Sequence, residues 1–338
     1  MKPNPIKESY KSIDLVAIGN AIVDILINTS EEFIKENNLD KGSMSLIDEK
    51  RSKELISKYN SSKKVSGGSA ANTACCLSKL GDKAHFIGRI KNDEMGRVFS
   101  SEIRSCGVSF QSEEIKEGPQ TAHSLIFITP DAQRTMCTFL GSSTQFNSNN
   151  IDLKEIEMAK ILYLEGYLWD HKEAKLAFIK ACNIAKRSNT KIALSLSDKF
   201  CVERHKESLL KLINERIDVL FGNEDEYKIL LNTEDINPKI NWLRKLCNIA
   251  IITMGEKGSI IITNKDLINI EAYKMGDLVD TTGAGDAYAG GFISGLVNGK
   301  ELEICGKIGS ICAGKIVTEI GSKFNINISK LVKSYCLE

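Results

Sequence analysis

Apolar residues in the second half of the chain fall in short unbroken runs, at 161–165, 191–196, 217–221, 248–253 and 259–263. Runs of this length without alternation predict strands buried on both faces. Between most of them lie stretches whose apolar positions recur every three or four residues, such as Lys172–Arg187 and 203–214, and these predict amphipathic helices. Buried strands joined by helices predict a mainly parallel sheet covered on both sides. The first half opens the same way: 15–18 predicts a strand ending at Gly19, Ser69–Leu80 a helix stopped by Gly81, and 86–88 a short strand. Two helices are predicted near the end, at 284–298 and 301–318. Both are rich in Gly and Ala, which lets backbones approach closely, either in plain helix packing or as a wall for a nucleotide.

Two stretches break the alternation. Residues 41–47 and 108–140 carry β-type runs and turns instead of long amphipathic helices, for example 122–129, the turn Pro130-Asp131-Ala132-Gln133, and 134–140. Neither has enough core to stand alone, so they predict a small β lid on the main domain. The expected division is a large α/β body from residues 1–28, 49–106 and 141–338, with a lid from 29–48 and 107–140.

Composition narrows the class. Of 338 residues, 42% are hydrophobic and 26% charged, with a formal net charge of +1, which offers no basic excess for nucleic acid or a membrane surface. No run of roughly 18 apolar residues suggests a membrane span, and the opening stretch lacks the apolar core of a secretory signal. Ten cysteines without a C-x-x-C pair, and only four histidines, predict buried free thiols in a cytoplasmic protein, with no zinc site.

The chemistry concentrates at 279–292, VDTTGAGDAYAGGF. Tyr288 occupies the third glycine position of a dinucleotide fingerprint, which excludes that motif. A Walker-like run at 309–315 places Ile316 where a magnesium-binding hydroxyl is needed and lies in a helical pattern, so it reads as chance. In the remaining pattern, D-T-x-G-A-G-D, Gly283 and Gly285 let the backbone turn and approach a ligand. A helix starting at Ala284 points unpaired N–H groups outward, forming an anion hole. Asp286, in the first turn, is expected to be ionised by the helix dipole. An anion hole beside a carboxylate suits phosphoryl transfer, with the carboxylate taking a proton from the acceptor hydroxyl; a cap and a turn are the bland alternative.

This motif resembles the signature of the ribokinase (PfkB) family of carbohydrate and nucleoside kinases, and three further elements agree in order. Val65-Ser66-Gly67-Gly68-Ser69-Ala70-Ala71-Asn72 is similar to the family's G-G-[ST]-x-x-N element. Asn223-Glu224-Asp225-Glu226 resembles N-x-x-E, and Thr253-Met254-Gly255-Glu256-Lys257-Gly258 resembles T-x-G-x-x-G. The resemblance spans residues 13–321 and implies a three-layer α/β/α sandwich with a small β-sheet lid. It implies ATP as donor, bound along Asn223, Thr253, Gly255 and Gly258, and Mg2+ organised by Asn223 and Glu226 largely through water. It also implies a monovalent cation such as K+ on the backbone carbonyls of Asp280 and Thr282.

Gly19-Asn20-Ala21-Ile22-Val23-Asp24 resembles the element by which adenosine kinases in that family hold ribose. By that resemblance Asp24 clamps vicinal hydroxyls, Asn20 lies near the base or ribose, and Gly68, Ser69 and Asn72 line the same pocket. Tyr167 or Trp169 supplies a stacking face, or either is core. Asp286 is then the general base and Gly283, Ala284 and Gly285 the anion hole. The expected partners are ATP and a nucleoside or sugar, in a monomer or a dimer through the lid. Arg134 and Lys257 are expected in solvent, with phosphate contact as the alternative, and His123 packed. A sugar kinase of the same family and a non-catalytic nucleoside sensor are the competing functions.

Overall fold

The computed structural model describes residues 11–59, 63–112, 115–131 and 133–336. Ala132, in the turn expected at 130–133, lies outside the described residues. In chain order the strands are β1 (Ile13–Ile18), β2 (Ile22–Asn28), β3 (Met44–Leu46), β4 (Lys63–Gly67), β5 (Ala84–Ile87), β6 (Ser109–Phe110) and β7 (Ala122–Ile128). They continue with β8 (Arg134–Phe139), β9 (Ala159–Glu165), β10 (Lys191–Ser195), β11 (Val219–Asn223), β12 (Ile249–Thr253), β13 (Ser259–Thr263) and β14 (Leu267–Ile270). Among the described residues, nine strands form one sheet in the order β14-β13-β12-β11-β10-β9-β1-β5-β6. From β12 to β6 every pairing is parallel, and only β13 runs the other way, pairing antiparallel with both β12 and β14.

Both faces of this sheet are covered, as its continuous apolar runs require. Leu15 and Ala17 of β1 enter one core with Tyr163, Phe221 and Phe292; Val16 and Ile18, pointing the other way, enter a second core with Leu162, Leu194 and Phe178. Helices Ser69–Leu80 and Ala284–Val297 contribute to the first core, Lys172–Arg187 and Lys199–Arg216 to the second. The glycines of Ala284–Val297 serve close packing: a Cβ on Gly290 would stand 2.8 Å from Thr73 O, and one on Gly291 2.8 Å from Ile308 O. The Walker-like run lies inside the helix Leu302–Ile316, where it forms no loop. No helix among the described residues is long and apolar enough to cross a membrane.

The smaller sheet, in the order β3-β8-β7-β2-β4, is wider than the two insertions expected to build it. It also takes β2 and β4 from stretches assigned by the sequence to the large body, while β6, inside the second insertion, joins the large sheet. The reason lies in β2. Val23, Ile25 and Ile27 are buried on one face, and Asp24 stands on the other. That alternation fits a sheet covered on one side, so the chain leaves β1 through Gly19-Asn20-Ala21 and crosses to the second sheet. Asp24 is thereby carried on the lid sheet, and β4 delivers the chain through Gly68 into the helix Ser69–Leu80.

Candidate active site

The parallel strands end along one edge of the large sheet, where ligands bind in folds of this type. Glu165 of β9 pairs with Ser195 of β10, and Asn223 of β11 pairs with Thr253 of β12. The two proposed ATP elements, far apart in sequence, are therefore neighbours. Asn223 caps the helix Glu224–Leu231: its Oδ1 accepts from Glu226 N–H at 2.9 Å, while Glu226 Oε2 and Oε1 accept from Asn223 N and Nδ2 at 2.9 and 2.8 Å. Glu226 is only 5% exposed, and burial pushes its carboxyl up to about 7. With each oxygen facing Asn223, Glu226 fits an indirect role toward a metal better than direct ligation. Among the described residues no cluster of three His, Cys, Asp or Glu side chains suits a metal ion. The turn after Thr253 uses Gly255 and Gly258 at φ +59° and +89°, closed by Met254 N–H to Gly258 O at 2.8 Å. Lys257 on this turn is exposed.

The glycine loop lies opposite. Gly283 is the N-cap of the helix Ala284–Val297 at φ +78°, a conformation costly to any residue with a Cβ. Ala284 N–H donates to Thr281 O at 3.2 Å, which leaves the other two amides of the trio as candidates for an anion hole. The N–H groups of Gly283 and Gly285 have no acceptor among the described residues. A Cβ on Gly285 would meet nothing within 4 Å, so the space before it is open.

The N-terminus of helix Ser69–Leu80 meets this one. Ser69 Oγ donates to Asp286 Oδ1 at 2.6 Å, and Asn72 Nδ2 donates to Asp286 Oδ2 at 3.0 Å. Two positive helix ends thus converge on Asp286. Even so, its carboxyl lies above the usual aspartate range: burial raises it, and the bonds from Ser69 and Asn72 and the charge of Lys323 only partly offset that. Burial thus works against the helix dipole, which was expected to favour the ionised form. A carboxylate moved toward neutrality is the better proton acceptor for an alcohol.

Asp24 faces the same space from β2. Gly67 has no room for a side chain because a Cβ there would meet the Asp24 carboxylate. Burial pushes Asp24 up to about 7, with Lys323 and Arg134 pulling it down and Asp286 and Asp280 pushing it up. Asn20, expected near the substrate, is only 5% exposed, and its N and Nδ2 both donate to Glu165 Oε1, at 2.6 and 2.7 Å. Glu165 Oε2 also accepts from Ala70 N–H at 2.8 Å, so this buried carboxylate joins the β1–β2 turn to the start of helix Ser69–Leu80.

Of the two aromatic candidates, Trp169 is core: it packs on Phe178, and its Nε1 donates to Ser208 Oγ at 2.9 Å. Tyr167 is less buried; its OH donates to Ser197 O at 3.2 Å, and Asp198, Asp286 and Glu226 act on its phenol. His123 is packed as expected, with Nε2 on Ser52 Oγ and Nδ1 on Thr121 O. Arg134 departs from expectation. Its side chain is 10% exposed and pairs at 2.8 Å with Asp280, whose oxygens also accept from Thr282 N–H (3.0 Å) and Gly321 N–H (2.7 Å).

Sequence reasoning missed three residues of this site. Glu165 ends a strand and reads as a strand terminus. Ser322 and Lys323 follow a helix and read as a turn, yet Ser322 Oγ and Lys323 Nζ both donate to Asn72 Oδ1, at 2.8 and 3.2 Å. A Gly-Ser-Lys segment shortly after the glycine-containing helix Leu302–Ile316 was the one available signal.

The layered sheet, the lid sheet and the glycine loop facing paired carboxylates define a ribokinase-like kinase fold. The model of the pfkB family carbohydrate kinases matches residues 37–328, and the chain belongs to that family. It is 36% identical to a probable sugar kinase protein from Rhizobium etli, with a TM-score of 0.90 over 97% of this chain and 100% of that one. It is likewise 36% identical to the adenosine kinase from Sinorhizobium meliloti, with a TM-score of 0.89 over 96% and 99%. A curated relative, the 5-dehydro-2-deoxygluconokinase of Halalkalibacterium halodurans, is 27% identical over 92% of this chain and 91% of its own. Kinases of this family use ATP to phosphorylate hydroxyl groups of sugars or nucleosides, and the chain is such a phosphotransferase.

Proposed function

We propose that the protein phosphorylates the 5′-hydroxyl of adenosine with ATP, giving AMP and ADP. The observation that carries the chemistry is the Asp286 carboxylate, fixed by Ser69 and Asn72 at two converging helix N-termini and facing Asp24. In this reading Asp24 holds the ribose hydroxyls, Gly68 opens the pocket floor, and Tyr167 offers a ring face to the base. Asp286 takes the proton from the 5′-hydroxyl as it attacks the terminal phosphorus, while the N–H groups of Gly283 and Gly285 hold the developing charge. ATP lies along Asn223, Thr253, Gly255 and Gly258. Magnesium, when bound near Asn223 and Glu226, neutralises phosphate charge. A monovalent cation on the Asp280 and Thr282 carbonyls would add to the positive charge Arg134 already brings to Asp280, so potassium is expected to raise turnover only modestly.

The choice of adenosine rests on the Sinorhizobium likeness. The second reading, a sugar-acid kinase, is favoured by the 5-dehydro-2-deoxygluconokinases. ADP release with ATP and magnesium, measured against nucleosides, free ribose and fructose, and 5-dehydro-2-deoxygluconate, separates the two. The adenosine reading expects adenosine to give the highest kcat/KM. Turnover with the sugar acid alone would replace it.

A further inference from the structure

Asn72 is an amide with two ends, and Asp286 is correctly held only if the nitrogen end faces it. Two donors settle the matter from behind. Ser322 Oγ and Lys323 Nζ both reach Asn72 Oδ1, which can only accept, so Nδ2 is turned toward Asp286. The Lys323 ammonium also contacts Cys75 Sγ at 3.2 Å. We propose that Lys323 is a positioning residue for the proton acceptor: it locks the Asn72 amide in the orientation that holds Asp286 and sets a positive charge behind the two site carboxylates.

The inference rests on Asp286 being the general base. The other groups acting on Asp286 do not replace this charge. Asp24 on β2 and Glu165 on β9 are acids; Tyr163, Tyr167 and Cys76 are neutral in their protonated forms. Lys323 is the cation that acts on both Asp24 and Asp286, and it lowers both.

The test compares wild type, Lys323→Met and Lys323→Arg for kcat and KM of adenosine and ATP between pH 5 and 9, with 5-dehydro-2-deoxygluconate as acceptor should adenosine not turn over. Lys323→Met is expected to move the acidic limb of the kcat profile upward by about one pH unit, costing about tenfold in rate below the limb. The loss narrows toward the alkaline end of the range, and the ATP KM stays unchanged. Lys323→Arg is expected to keep the limb in place. A loss of equal size at every pH would make Lys323 merely structural and overturn the inference, as would an unmoved limb. If the Met variant does not fold, a folded Lys323→Arg with a displaced limb overturns it equally. Asp286→Asn tells the two claims apart: full turnover there removes the base assignment itself, whereas an inactive Asp286→Asn beside an unmoved limb in Lys323→Met removes only the role of Lys323.

Discussion

Arg134 of the lid sheet and Asp280 of the glycine loop form an ion pair, NH1 to Oδ2, at 2.8 Å, with side chains only 10% and 2% exposed. It ties a strand of one sheet to the loop that begins the helix Ala284–Val297. Removing the arginine leaves a carboxylate buried with only backbone donors. Arg134→Gln is expected to cost about 3 kcal/mol of stability and to raise the acceptor KM. Adding Asp280→Asn should return part of that stability. Urea unfolding of both single variants and the double variant checks this, and strictly additive losses would show that the pair is not coupled.

Two neighbouring glycines should fail in different ways. A Cβ on Gly283 would stand 2.7 Å from Ser322 Cβ, on a backbone at φ +78°. Gly283→Ala should therefore lose about 1–2 kcal/mol of stability as well as turnover. Gly285→Ala meets no protein atom within 4 Å. It should keep the wild-type melting temperature but lower kcat, because in the proposed site the methyl group stands where the phosphoryl group approaches. A Gly285→Ala enzyme with normal kcat would move the anion hole elsewhere.

Asp286 titrates above the ordinary aspartate range because it is buried. With Asp286 as the proposed base, turnover should therefore fall on acidification at a pH higher than a solvent-exposed aspartate would give. Asp286→Asn is expected to reduce kcat by roughly 10²–10⁴-fold with little change in ATP KM. Steady-state kinetics across pH 4–9 measures both effects.

Glu165 links stability to pH. Burial pushes its carboxyl up to about 7, against three hydrogen bonds that favour ionisation. Its folded pKa exceeds its unfolded one, so its contribution is fully present below about pH 4.5 and is lost as pH rises through 7. Asp24 and Glu226, also raised to about 7, act with the same sign. The ligand-free protein should melt lower at pH 8 than at pH 5 on their account. Glu165→Gln should weaken that dependence while losing about 1–3 kcal/mol, since an amide cannot accept from Ala70 N–H and Asn20 at once. Thermal melts at the two pH values decide it.

Among the cysteines, Cys106 stands apart. A hydrogen bond from Cys75, helped by the charges of Lys323 and Lys79, brings its thiol down to about 6, and it is partly exposed. Cys336, also partly exposed, is raised by burial. Iodoacetamide at pH 7 should label Cys106 first, and Cys106→Ser should remove the fast phase. Equal rates at the two positions would contradict the assignment.

The chain's own pattern determined the large sheet, because strands buried on both faces must be continuously apolar and the helices between them must be amphipathic. It also determined the glycine loop at 283–285 and the acid at 286, where chemistry needs particular residue types at fixed local spacing. β2 was harder to place: its alternation is the mark of a strand covered on one side, but which sheet receives it depends on pairing with β7 and β4, far along the chain. The same holds for the company Asp286 keeps. Ser69 and Asn72 lie more than two hundred residues away, and Lys323 is hydrogen-bonded to Asn72 while its charge acts on Asp286. Only tertiary structure brings two helix N-termini head to head. It also decided the proton affinities of Asp24, Glu165 and Asp286, since burial, the largest influence on each, belongs to the folded chain and not to any stretch of sequence.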